Sequence, residues 1–209
     1  MTSVKLVASG YTTSSSSVSV SNPDRMYADT GSTTYATLTH SNKSTTAYYV
    51  YLSGFDFTGI PSGATVTSFT VRVKGYESSL STSSSYAPCL VNGTSAISGT
   101  TASSNFGSSA STITVPTGSL TWGGLSDYGS NLGIRLSIMR SNKNKQGTLY
   151  IYGAEIEVTY MLPGEGPFLY VKSNGSWVQV QRAYVKSNGS WSQVSLNQAF
   201  TSGVNYVAG

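Results

Sequence analysis

One histidine limits the chemistry open to this chain. His40 is the only candidate base for a Ser-His-Asp or Cys-His centre. It stands in TLTHSNKS, at the end of an expected strand, where a surface or hydrogen-bonded histidine is the simpler reading. A multi-histidine metal site is excluded within one chain, although a threefold axis could gather three copies. Glu155 and Glu157 have the i, i+2 spacing that puts two carboxylates on one strand face, as a glycosidase pair requires. They alternate with core residues on a closing strand, so a solvated face is expected. Asp24 and Asp29 flank RMYA and, with loop carbonyls, could hold Ca²⁺; turn and cap roles account for them more simply. Cys89, the single cysteine, cannot form an intrachain disulfide. With no histidine or basic group nearby, it reads as a small buried hydrophobe. No Gly-rich phosphate loop follows a strand and opens a helix. The expectation is a non-enzymatic protein with no metal site and no cofactor.

Binding chemistry is better represented. YVKSNGSW runs from Tyr170 to Trp177 and again from Tyr184 to Trp191. Asn174-Gly175 and Asn188-Gly189 are strong signals for two-residue hairpin turns, because both residue types tolerate positive φ. Built around the first turn, Lys172 faces Trp177, Val171 faces Val178 and Tyr170 faces Gln179. One face then carries Tyr170, Lys172, Trp177 and Gln179. The second copy reproduces it with Tyr184, Lys186, Trp191 and Gln193, whereas the opposite, greasier face is not reproduced. Two readings stay open. The lysines can lie over the tryptophans simply to stabilise a four-stranded meander. Alternatively, the face meets a sugar ring or a neighbouring subunit. A second candidate surface is the hairpin tip SNKNKQG with Arg140, Lys143 and Lys145, which would hold anionic polymers in a salt-dependent way.

The elements that carry these residues read as strands. SFTVRVKGY puts Phe69, Val71 and Val73 on one side and Thr70, Arg72 and Lys74 on the other. NLGIRLSIMR turns Leu132, Ile134, Leu136 and Ile138 inward, with Arg135 and Ser137 outward. AYYVYLSGF alternates likewise, with Val50 and Leu52 opposite Tyr49 and Tyr51. Such alternation marks sheets with one wet face. In GTLYIYGAEIEVTY the apolar parity changes from Leu149 and Ile151 to Ala154, Ile156 and Val158, which predicts a bulge or bend at Gly153. Helical periodicity is almost absent. Eight to ten strands with turn-rich connections predict an all-β fold: a jelly-roll β-sandwich over residues 1–162. MLPGEGP supplies a linker at 163–167, and residues 168–209 hold the two hairpins and a tail.

Charged residues make up only 10% of the chain, which leaves a surface of Ser, Thr, Asn and Tyr. The net charge of +4 is scattered, so nucleic acid is not an expected partner. No apolar run is long enough for a membrane span, and the N-terminus lacks a signal-peptide core. A protein made in a cytoplasm yet surfaced for the exterior suits a virus particle. IPSGATVTSFTVRVKGY, LTWGGLSDYGSNLGIRLSIMRS and GTLYIYGAEIEVTYML resemble a jelly-roll module of bacteriophage virion proteins, found in minor tail, tail-fibre and head-fibre parts. The YVKSNGSW copies resemble hairpin repeats that end similar proteins. The resemblance covers most of residues 20–195. It implies a structural or adhesive virion component with no catalytic residues to carry over. Its partners would be other virion proteins, further copies of itself in a trimer, and a host cell-surface glycan. These modules are also similar to carbohydrate-binding jelly rolls of secreted enzymes. A free carbohydrate-binding module, or an accessory domain of a polysaccharide hydrolase, is therefore the alternative.

Overall fold

A computed structural model describes residues 1–29, 31, 33–40, 46–78, 87–139, 146–162, 170–173, 175–179, 183–187 and 189–194. The chain divides into two compact units, Met1–Met161 and Leu162–Gly209.

Among its described residues the first unit holds eleven strands: β1 (Thr2–Val7), β2 (Gly10–Thr13), β3 (Val18–Ser21), β4 (Ala36–His40), β5 (Tyr48–Ser53), β6 (Thr65–Ser78), β7 (Cys89–Asn92), β8 (Ser95–Ala96), β9 (Ser111–Val115), β10 (Leu132–Ile138) and β11 (Thr148–Met161). That exceeds the eight to ten expected because segments as short as the two residues of β8 join the ladders. One sheet runs β3-β4-β11-β6-β9, with β1 also paired to β11; the other runs β2-β5-β10-β7-β8. Every pairing is antiparallel. Helix among the described residues is confined to α1 (Trp122–Ser126) and 3₁₀ turns such as Pro23–Met26 and Gly129–Asn131.

The period-two pattern explains the packing. Val71, Val73, Ile156 and Val158 from one sheet, and Val50, Leu52, Ile134 and Leu136 from the other, are buried in a single apolar cluster. Each sheet thus turns one face into a shared core, the arrangement of an all-β sandwich. The outward face of the second sheet is less wet than alternation alone suggests. Tyr51, Cys89 and Val91 are buried there in a small second cluster flanked by Tyr49, and Ser137, opposite Tyr49 in the ladder, is buried as well. Arg135 lies across the Tyr49 ring at 4.8 Å.

The expected irregularity in β11 is present. Ile151 pairs with Gly75 and Gly153 with the next residue, Lys74, so Tyr152 is the extra residue of a bulge. Gly153 is closely overlaid by the Ala28–Asp29 backbone. A glycine at a bulge is where another main chain can approach.

In the second unit β12 (Tyr170–Ser173) pairs with β13 (Ser176–Gln179), and β14 (Ala183–Ser187) with β15 (Ser190–Val194). The registers are those predicted around the Asn-Gly turns, with Lys172 opposite Trp177 and Lys186 opposite Trp191. Gly175 and Gly189 take φ of 84° and 83°, the left-handed region such turns need. The two hairpins form separate two-stranded sheets; no ladder of a continuous meander joins them among the described residues. The 163–167 linker lies outside the described residues.

Candidate functional site

The repeated hairpin face is built by register alone. In β14 and β15 side chains two apart share a side, so Tyr184 and Lys186 stand over Gln193 and Trp191. All four are exposed. Tyr184 is 42% and Trp191 52% exposed, among the few large apolar side chains of the described residues left open to water. Lys186 Nζ sits 5.7 Å from the centre of the Trp191 ring. The pair is a cation over an indole face at an exposed position, worth about 0.5–1 kcal/mol. In the first hairpin Tyr170, Lys172 and Trp177 occupy the matching register positions and Lys172 is exposed. The side chains of Tyr170 and Trp177, like Arg140, Lys143 and Lys145 of the basic tip, lie outside the described residues.

A second surface was not foreseen. On the outward side of the first sheet, Tyr76 of β6 and Tyr150 of β11 are ladder partners, and their rings stack at 4.4 Å with planes 12° apart. Tyr35, just before β4, stands edge-on to Tyr76, Tyr150 and Tyr152 at 5.8, 5.0 and 5.5 Å. Lys74 Nζ lies 5.6 Å from the Tyr152 ring centre and 3.2 Å from Asp29 Oδ2. Burial among these groups, followed by a hydrogen bond with Tyr35, pushes the Tyr76 hydroxyl up to about 12. A signal does exist: Lys74 and Tyr76, and Tyr150 and Tyr152, are each two apart on strands whose alternation marks the opposite face as inward. What joins them is strand order, which their spacing does not show.

The same face accounts for the carboxylates. Lys5 Nζ is 2.9 Å from Glu155 Oε1, and Arg72 pairs with Glu157. The hydrogen bond to Glu155, and then its charge, hold the Lys5 ammonium above its ordinary value. Glu155 is only 6% exposed, which corrects the expectation of a solvated face. β1 and β6 flank β11 at this point and hem it in. Asp29 has the turn role: its Oδ1 accepts the Gly31 N–H at 3.0 Å. Burial works to raise its pKa, but that hydrogen bond and the Lys74 ammonium outweigh it and leave the carboxyl below its ordinary value. Asp24 lies in the Pro23–Met26 turn. No group of three or more His, Cys, Asp or Glu able to hold a metal occurs among the described residues.

His40 is fully buried, which corrects the surface reading. It shares the inward side of β4 with Ala36 and Leu38, and its ring packs 5.0 Å from Tyr48. Cys89 is buried as expected, and that burial pushes its thiol pKa up. Trp122, from the Trp-Gly segment, meets Phe57 and Phe69 edge-on at 5.8 and 5.9 Å and packs against the core.

No family model, curated protein or solved structure matches this chain. The two aromatic–cation surfaces are the arrangements with the strongest case for binding. Both offer flat rings beside ammonium groups, which suits stacking and polar contact rather than bond-making chemistry.

Proposed function

We propose that this chain is a non-enzymatic structural component of a bacteriophage particle, of the tail or head-fibre type, that contributes to host-surface attachment. The observation that carries the reading is the exposed Lys186–Trp191 face, whose register the first hairpin repeats. Two equivalent weak sites on one chain raise avidity for a repeating surface polymer. Exposed aromatic residues also suit contacts with other virion proteins or with further copies of the chain in a trimer.

Strand order supports the jelly-roll form of the sandwich. From β4 to β11 the chain visits the first sheet, the second, the first, then the second twice, then the first, the second and the first. Two four-stranded layers, β4-β11-β6-β9 and β5-β10-β7-β8, visited in this order are what a double Greek key of that kind calls for, which supports the reading. The tyrosine-lined sheet face favours the other reading, a free carbohydrate-binding module or hydrolase accessory domain.

Protein identification on purified particles separates the two; absence from the particle refutes the virion reading. Trp177→Ala combined with Trp191→Ala then assigns the hairpins. Lost adsorption with normal incorporation supports attachment. Lost incorporation makes the rings an assembly contact. No change in either removes the hairpin face from the mechanism.

A further inference from the structure

Three distant segments deliver four tyrosines to one patch on the outward side of the first sheet. Tyr76 and Tyr150 arrive by cross-strand pairing, and Tyr35 reaches over from the start of β4. Tyr152 arrives through the bulge: it has no ladder partner and lies 6.1 Å from Tyr76 and under Lys74. Gly153, the next residue, has no side chain, so the Ala28–Asp29 backbone crosses there and carries the Asp29 carboxylate to Lys74. All four rings stay partly exposed. Bulges of this kind re-aim side chains beside binding sites.

The charges around the rings are balanced. Lys74 faces Asp29, Lys5 faces Glu155 and Arg72 faces Glu157. Such a face offers donors and acceptors without a net field. An anionic polymer gains nothing from it, whereas a neutral ligand with many hydroxyls finds partners of both kinds.

We propose that this tyrosine-lined face binds a neutral carbohydrate chain, with pyranose rings against the tyrosine rings and sugar hydroxyls on Asp29 and Lys74. Aromatic rings supply a large apolar contact at small entropic cost, and their hydroxyl ends remain wet. The site lies wholly within the first unit and does not depend on the chain being part of a particle.

The test is affinity electrophoresis of the full chain in gels containing hydroxyethylcellulose, galactomannan or dextran, with polygalacturonate as the anionic control. Retardation is expected in at least one neutral gel. Tyr152→Ala should weaken it about tenfold. Melting temperatures are recorded for every variant, so that a folding defect is told apart from a lost contact. No retardation in any neutral gel overturns the proposal, as does retardation only in polygalacturonate or equal retardation of Tyr152→Ala and the wild-type chain. If the alanine form does not fold, titration of wild-type chain with the matching oligosaccharide reads the same contact through its tyrosine ring NMR signals. Shifted ring signals support the site, and unshifted ones overturn it.

Discussion

Gly153 is the point where the Ala28–Asp29 backbone crosses β11: a Cβ built on it would fall 2.5 Å from Asp29 Cα. The obstacle is main chain, so it cannot swing away as a flexible side chain would. Gly153→Ala is expected to cost about 1–3 kcal/mol, the range for overpacking. The urea midpoint should fall with little change in slope. A variant as stable as the parent would mean that the crossing segment moves freely, and the placement of Asp29 against Lys74 would lose its explanation.

Alkaline stability should follow Tyr76. Its hydroxyl is raised to about 12 in the folded chain, against an ordinary value of 10.0. The folded state therefore holds the proton more tightly than the unfolded one. The contribution is intact below pH 10 and is lost as pH climbs from 10 through 12. Tyr76→Phe removes the titration, so the loss of stability across this window should be shallower than in the parent. Chemical denaturation at a series of pH values gives the comparison, and parallel curves would contradict the expectation.

Cys89 should be silent towards thiol reagents. It is fully buried and its thiol pKa is raised, so the reactive thiolate is scarce. Labelling of the native chain is expected only as fast as the sandwich opens, and immediately in denaturant. Rapid stoichiometric labelling under native conditions would contradict the burial.

The first unit should stand alone. Residues Met1–Met161 form one compact unit around the shared core. A chain ended after Leu162 is expected to melt in a single cooperative step. A peptide of residues 162–209 is expected to show no cooperative transition, because isolated two-stranded hairpins are marginal in water. Calorimetry of the two pieces decides the matter.

Much of this was legible because it is local. Alternation along β6, β10 and β11 identifies which side of each strand is greasy, and Leu132, Ile134, Leu136 and Ile138 are buried accordingly. The parity change around Gly153 locates the bulge. The Asn-Gly pairs set a hairpin register that the ladders reproduce residue by residue. Each of these signals spans a dozen residues or fewer, and the pleat or the turn converts it directly into geometry.

The failures share one cause. His40 does end β4, as its sequence context suggests, yet nothing in its neighbourhood says that it is buried rather than at the surface, with β3 paired alongside and Tyr48 packed on its ring. Glu155 reads as an outward carboxylate and is outward, but β1 on one side and β6 on the other leave it little water. The tyrosine patch was invisible although every one of its residues was in view.

By itself the sequence determined the strands, their inward faces, the two hairpins and the paired Lys–Trp positions. Only the tertiary structure decided which outward faces adjoin. Neighbours across a sheet are set by strand order and register, which depend on contacts between segments far apart in the chain. Tyr35 meets Tyr76 only because β11 lies between β4 and β6, and no periodicity within any one of those strands carries that information.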